Sequence, residues 1–362
     1  MLLFPLFAMW KHGMVREDFS HYSQLLDFVI VFWGLIVLAL PKTIHKMIYF
    51  VPLLSILAIH VNGDGIKDYK ENYHVNIVGI NKMNPYLFSY QNHVHQFYQN
   101  SLTNVEINKV ADSLRQVIGD KTIDIYPWDL SYIPANNFNW KPRKTLQSIG
   151  FSNWQDEIDS KNFTQKNGPD FILFHTVKDT FESSLGSIDF RYLLNDEPLT
   201  NIQIFTNYKI CYINDAFTLF KKTNLHNLKN QTQLGSVKIK WGEWIDCPKI
   251  KNVILKAKVF SQKTILGDFK QFFYKDVEYY IEYETNSSEK LKYRYIPSIA
   301  KNGLWINPFI RSFNKKIPNL QISKIRFSTN STIGINKDIM LQWEIVEQTE
   351  VNDSILINDL FH

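Results

Sequence analysis

Cysteine is nearly absent from this chain of 362 residues, which contains only Cys211 and Cys247. Two thiols so far apart in sequence cannot build the dense disulfide framework of a small secreted domain, and they cannot form a cysteine-based zinc site. They also fall in two different predicted domains, described below. We therefore expect no bridge between them.

Signatures of nucleotide and metal chemistry are missing as well. The sequence has no glycine-rich phosphate loop, no nucleophile elbow, no H-E-x-x-H pair and no cluster of cysteine with histidine. His93 and His95 lie two residues apart in a stretch with helical periodicity, and that spacing places them on different faces of a helix. The sequence predicts no cofactor and no metal site.

Charge of one sign is not concentrated anywhere. The 40 basic residues only slightly outnumber the 35 acidic ones, and they are dispersed among acids and asparagines. A nucleic-acid-binding protein normally gathers its lysines and arginines into a patch or stripe. Nucleic acid is therefore not an expected partner.

Long apolar runs are present, and they crowd into the first 61 residues. LLDFVIVFWGLIVLAL and MIYFVPLLSILAIHV are separated only by PKTIHK, and Phe28 to Leu40 is apolar on every helical face. Residues 1–61 are thus predicted to form a pair of antiparallel membrane helices, the alternative being a buried hairpin in a soluble protein. Lys42 and Lys46 in the turn favour its cytoplasmic location, so the rest of the chain is expected to be periplasmic or extracellular.

Two domains are predicted after this segment. Residues 62–74 are polar and turn-rich, which predicts a linker. In residues 75–226, strand-like runs such as TIDIYPW and PDFILFH alternate with amphipathic helical stretches, which predicts an α/β domain. YKICYI and AFTLFKK are predicted to form a hairpin at one sheet edge. In residues 227–362 only strand-like runs recur, many of them alternating polar with apolar residues. The predicted fold class is a transmembrane helical hairpin, a mostly parallel three-layer α/β sheet, and then an antiparallel β-sandwich.

Several short signatures resemble one family. They are KHGMVRED, IYPWDLSYIPANNFNWKPR, QSIGFSNWQDEIDSKNF, PDFILFH, IDFRYLLNDEP and YRYIPSIAKNGLWINPF. Together they look like the carboxy-terminal part of poorly characterised bacterial multi-spanning envelope proteins, which are similar to membrane glycosyltransferases and ligases of lipid-linked polysaccharide. The resemblance implies additional membrane helices that this chain lacks. It also implies an early outward loop with a catalytic acid, which is missing here, so the resemblance does not imply autonomous catalysis.

A charged segment near the amino terminus is a candidate lipid-phosphate site. Lys11, His12 and Arg16 in KHGMVRED lie beside an apolar run, where cationic side chains can neutralise phosphate oxygens. The alternative is an ordinary charged loop at a membrane edge.

The loop after the predicted strand TIDIY is a candidate ligand-binding site, because ligands of open α/β sheets bind at the carboxyl ends of strands. Its aromatic residues could stack on sugar rings, and its polar residues could hydrogen-bond to hydroxyl or phosphate groups. These residues are Trp128, Tyr132 and Trp140, with Asp129, Arg143 and Gln147. The alternative is a rigid loop stiffened by three prolines and by a salt bridge between Asp129 and Arg143.

Further acid and base pairs follow along the chain. Asp189 and Arg191 in SIDFRY are additional ligand-binding candidates, and Asp156 with Asp159 could provide carboxylates for general acid and base chemistry. Helix-capping or surface roles explain such acids equally well.

Three functions are consistent with these patterns. The preferred one is a membrane-anchored cell-envelope protein whose outward domains bind or position a glycan, a lipid-linked intermediate or a partner protein, with membrane lipid as a further partner. The alternative is the carboxy-terminal portion of a glycosyltransferase-like or ligase-like enzyme acting on a lipid-linked saccharide. The third is a soluble scaffold protein with a hydrophobic amino-terminal hairpin.

Overall fold

The computed structural model describes residues 3–16, 24–25, 28–29, 31–33, 35–36, 90–175, 185–214, 216–224, 226–314 and 317–349. The chain divides into two compact units, one formed by residues 1–101 with 263–277 and the other by residues 102–262 with 278–362. The predicted linker, the first part of the predicted α/β domain (residues 75–89) and the second apolar run (residues 47–61) lie outside the described residues.

Helices and strands alternate through the first half of the described chain, and strands dominate the second half. The helices are α1 (Leu3–Arg16), α2 (Tyr90–Ile107), α3 (Asp112–Ile118), α4 (Tyr132–Asn136), α5 (Asn153–Ser160), α6 (Pro198–Asn207), α7 (Ile265–Phe273) and α8 (Pro297–Ala300). The strands are β1 (Thr122–Tyr126), β2 (Asn139–Trp140), β3 (Phe171–His175), β4 (Tyr208–Ile213), β5 (Phe217–Lys222), β6 (Leu228–Lys240), β7 (Trp244–Asp246), β8 (Val253–Phe260), β9 (Tyr279–Thr285), β10 (Lys290–Tyr295), β11 (Leu304–Asn307), β12 (Ile322–Thr329) and β13 (Asp338–Gln348).

The predicted fold class is wrong in its membrane part. Among the residues that the structure describes, no helix is both long enough and apolar enough to cross a bilayer. A span needs about 20 predominantly apolar residues. Helix α1 has 14 residues, and α2, with 18, is rich in asparagine, glutamine and histidine.

The predicted sheet of the α/β region also needs correction. Its five strands have the order β2–β1–β3–β5–β4. Strand β1 runs parallel to β2 and β3, whereas β5 runs antiparallel to both β3 and β4. The sheet is therefore mixed rather than mostly parallel, because the second strand of the β4–β5 hairpin pairs directly with β3.

One face of this sheet packs against α3. Ile123 and Ile125 of β1 meet Leu173 of β3 and Leu114 of α3 in a buried aliphatic core. Side chains alternate between the two faces of a strand. Asp124 and Tyr126 of β1 therefore point to the other face, where both are buried.

The last third of the described chain contains two four-stranded antiparallel sheets. Their strand orders are β10–β9–β12–β7 and β11–β8–β13–β6. The Tyr283 hydroxyl in β9 donates to the Trp305 carbonyl in β11 at 3.1 Å, and this buried hydrogen bond joins the two sheets.

Buried side chains also connect the mixed sheet region to these two sheets, all within the second unit. The Asn195 amide donates to the Tyr283 hydroxyl at 2.9 Å and accepts from the Trp305 backbone N–H at 2.7 Å. The Phe313 ring lies 5.0 Å from Phe174 of β3 and 5.4 Å from Phe220 of β5. The second unit thus has a continuous interior.

Candidate functional site

An acid and a histidine meet at the carboxyl ends of two neighbouring parallel strands. Asp129 lies in the loop that follows β1, and His175 is the last residue of β3. An Asp129 carboxylate oxygen (Oδ2) is hydrogen-bonded to Nδ1 of His175. The side chains remain 29% and 23% exposed, so a ligand can reach both. We call these two residues the Asp129–His175 pair.

Aromatic rings orient the histidine. The His175 ring lies 5.0 Å from Phe217 and 5.8 Å from Tyr132, and Tyr132 makes an edge contact with Phe217 at 4.8 Å. Burial raises the pKa of Tyr132, and the negative charge of Asp129 raises it further. Its hydroxyl therefore stays protonated at neutral pH and can donate a hydrogen bond next to the pair.

The pair has a defined hydrogen-bonding character. An ionised carboxylate only accepts, so Nδ1 of His175 carries the proton that is shared with Asp129. In the neutral ring, Nε2 is then an acceptor. Within the described part of the chain, the structure gives His175 no second hydrogen bond. Nε2 is available to accept a proton from a hydroxyl group.

Arg143 does not join this pair. It is buried and forms an ion pair with Asp124 of β1, with 3.0 Å between Nη1 and Oδ2. It also donates to the backbone carbonyls of Ile125, at 2.6 Å, and of Pro127, and it lies over the Tyr126 ring. The expected internal salt bridge of the loop therefore exists, but its acid is Asp124 instead of Asp129.

The remaining residues of the predicted loop site divide between structure and surface. Trp140 is partly buried, and its indole N–H donates to Asp124 at 3.0 Å, so it supports the same ion pair. Trp128 is half-buried in the loop immediately before Asp129. Gln147 is exposed, and its backbone carbonyl accepts from the Gln155 amide at 3.3 Å.

Asp189 and Arg191 have separate roles. Asp189 is exposed, has a left-handed backbone (φ 55°) and lies 3.5 Å from Arg294. Arg191 is buried; its guanidinium donates to the Ile149 carbonyl at 2.7 Å, and its Nε lies 3.3 Å from an Asp196 carboxylate oxygen. No contact of Asp189 or Arg191 in the described chain involves the Asp129–His175 pair.

The acids proposed for acid and base chemistry are buried. Asp156 accepts from the backbone N–H groups of Leu199 and Thr200 at 3.0 and 2.9 Å, so it stabilises the amino-terminal end of α6. Burial raises the pKa of Asp159 to about 6, and the Arg143 charge opposes that shift. Neither carboxylate is open to solvent, and both serve the packing of α5.

The three candidate lipid-phosphate residues lie in the first unit. Lys11 donates to the backbone carbonyls of Tyr274, at 3.0 Å, and of Gln271 at the carboxyl end of α7. His12 Nε2 lies 3.3 Å from the amide oxygen of Gln24. Arg16 is the last residue of α1.

Sequence reasoning overlooked His175. The run PDFILFH predicts a strand, but its composition does not mark the terminal histidine as a site residue. The available signal was its position, because His175 ends a strand that neighbours the strand preceding Asp129. Carboxyl ends of parallel neighbours meet at one sheet edge.

No group of three or more histidine, cysteine, aspartate or glutamate side chains in the described residues could hold a metal ion. No family model, no curated protein and no solved structure matches this chain.

Proposed function

We propose that the second unit binds a saccharide or a similar hydroxyl-rich ligand at the Asp129–His175 pair. The observation that carries this proposal is a partly exposed acid–histidine pair, bordered by the Tyr132 ring, at the carboxyl ends of β1 and β3. A ligand of this type fits the earlier interpretation of an envelope protein that binds or positions a glycan or a lipid-linked intermediate.

The chemistry of the pair supports a hydroxyl-rich ligand. A sugar hydroxyl is both donor and acceptor, and the site offers the complementary groups: His175 Nε2 and the Asp129 carboxylate accept, and the Tyr132 hydroxyl can donate. The apolar C–H face of a pyranose matches an aromatic surface, which the Tyr132 ring beside His175 provides. Ligand pockets commonly combine aromatic walls with a few directional polar groups.

A second candidate is catalysis by the same pair. A histidine whose Nδ1 is held by a carboxylate is oriented to act as a general base through Nε2. In this arrangement His175 would accept the proton from an acceptor hydroxyl, as the glycosyltransferase-like alternative requires. The observation that favours this candidate is the hydrogen bond between Asp129 and His175.

Binding is tested by saturation-transfer NMR on the purified full chain with a panel of neutral and acidic oligosaccharides. A hydrogen bond to a charged group contributes about 1.5 to 3 kcal/mol and one between neutral groups about 0.5 to 1.5 kcal/mol. Asp129→Asn is therefore expected to weaken binding roughly 10- to 100-fold, and His175→Ala roughly 2- to 10-fold. Glu157→Gln, an exposed acid on α5, is the control and should bind as the unaltered chain does. Equal affinities of all three variants, or no binding to any saccharide of the panel, would contradict the proposal.

Catalysis is tested separately with a polyprenyl-diphosphate-linked saccharide as donor and a free oligosaccharide as acceptor. If His175 acts as a base, His175→Gln loses transfer while it retains acceptor binding, because glutamine can still accept a hydrogen bond. Binding without any transfer by the unaltered chain would eliminate the second candidate and leave the first intact.

A further inference from the structure

Helix α7 in the first unit exposes an apolar surface. Ile265, Phe269 and Phe272 follow one another at helical spacing and are 89%, 62% and 58% exposed, and the neighbouring Leu266 is 60% exposed. Together with Phe273 they occupy an arc of roughly 120° around the helix. Gly267 is the only buried residue of α7. We call the four exposed side chains the α7 apolar face.

The helix is held in place by contacts within its own segment and with α1. Its Thr264 cap accepts from the Gly267 N–H at 3.2 Å, and an ion pair between Lys263 and Asp276 closes the segment at its base. Trp10 of α1 donates to the Phe273 carbonyl at 2.9 Å. The exposure of the α7 apolar face is therefore a feature of a fixed helix.

Helix α1 adds an aromatic border to this surface. The Phe7 ring stacks on Phe272 at 5.0 Å, and Trp10 makes an edge contact with Tyr274 at 5.7 Å. Tryptophan and tyrosine concentrate where membrane proteins cross from lipid to water. Lys11, which donates to carbonyls at the end of α7, places a cation at the same border.

An exposed apolar face of this size has a cost that an interaction must offset. A large apolar side chain that stays in water forgoes the free energy that its burial would provide. Contiguous exposed apolar patches rimmed by polar residues mark interaction sites on proteins.

We propose that the α7 apolar face inserts into the interfacial region of a lipid bilayer, with α7 lying in the membrane plane. An arc of isoleucine, leucine and phenylalanine, with Trp10 and Tyr274 at its edge, is the pattern of an interfacial helix.

The charge around the helix specifies how it would bind. Residues 263–277 contain three lysines and two aspartates, so their net charge is 3 − 2 = +1. This charge is too small for strong attraction to anionic lipid, and insertion of the apolar side chains must dominate. Neutral phosphatidylcholine is therefore expected to suffice.

The test places a spin label at position 265 of the full chain. Cys211→Ser removes the exposed native thiol, whereas Cys247 is buried. Ile265→Cys carries the label, and Ile333→Cys, at a site 63% exposed in the second unit, is the matched control. The protein is reconstituted in phosphatidylcholine vesicles, and collisions with oxygen and with a water-soluble nickel chelate are measured.

The ratio of oxygen to nickel collisions at position 265 is expected to exceed that at position 333 severalfold. Adding Phe269→Ser should abolish the difference, whereas Phe151→Ser, which alters an exposed phenylalanine of the second unit, should not. Equal ratios at positions 265 and 333 would overturn the proposal. A label at 265 that stays accessible to nickel and shows dipolar broadening between protein molecules would instead identify a second copy of the chain as the occupant.

Discussion

Replacement of Arg143 by methionine should strongly destabilise the second unit. The guanidinium is buried, and its removal leaves the equally buried Asp124 carboxylate without its counter-ion. Breaking a buried ion pair by removing one partner costs about 3 to 5 kcal/mol. Asp124 retains hydrogen bonds from the Trp140 indole and the Ile125 N–H, so we expect the lower end, about 3 kcal/mol.

Urea unfolding followed by tryptophan fluorescence measures this loss as a lower transition midpoint at unchanged slope. Arg143→Met combined with Asp124→Asn removes the uncompensated charge, and the cost should fall to about 1 to 2 kcal/mol. Lys144→Met, at the exposed neighbouring position, should change stability by less than about 0.5 kcal/mol. A cost below about 1 kcal/mol for Arg143→Met, or no recovery in the double variant, would contradict the buried ion pair between Arg143 and Asp124.

Three further predictions concern buried groups. The pKa of Asp159 is raised from 3.8 to about 6, so between these two pH values the folded protein binds more protons than the unfolded chain. The contribution of Asp159 to the free energy of unfolding is therefore complete below pH 3.8 and is lost as the pH rises through about 6. Asp159→Asn should thus flatten the decrease in urea midpoint between these pH values, and an unchanged slope would contradict the raised pKa. Gly150→Ala should destabilise the protein more than Gly119→Ala does. Both glycines have positive φ, but an added Cβ at Gly150 would lie 2.6 Å from a carbonyl oxygen, whereas one at Gly119 would have no atom within 4 Å. Equal decreases in melting temperature for the two variants would contradict the close approach at Gly150. Glu344→Gln removes the partner of the fully buried Lys256 and should cost about 3 kcal/mol in urea unfolding, and the loss should be partly reversed by adding Lys256→Met.

Local sequence patterns predict the position of the loop after β1, but they do not predict which side chains its residues contact. The strand-like run TIDIY followed by proline correctly placed Asp129 after the end of β1. The alternation of side chains along that strand also predicts where Asp124 points. Because it lies between Ile123 and Ile125, its side chain must be on the opposite face of the sheet. A buried acid in a strand needs a partner. Which cation reaches Asp124 depends on the path of the chain between β1 and Arg143, and tertiary packing decides that path.

The amino-acid composition of a strand likewise does not predict whether its neighbour in the sheet runs parallel or antiparallel to it. The run PDFILFH is apolar because both of its faces are covered, and this holds whether its neighbour is parallel or antiparallel. The hairpin of β4 and β5 was predictable from its two apolar runs. Which of its strands would pair with β3 depends on where α6 delivers the chain, and this choice made the sheet mixed.

The carboxy-terminal sheets matter to the candidate site although they contribute no residue to it. Phe174 and His175 are adjacent in β3 and point to opposite faces. Phe174 is buried against Phe313, in the segment between β11 and β12, while His175 faces Asp129 and Phe217. Packing on one face thus fixes the strand that presents the histidine on the other. Support of this kind from behind is what a precisely placed side chain requires, and the interior shared by the mixed sheet and the two antiparallel sheets supplies it.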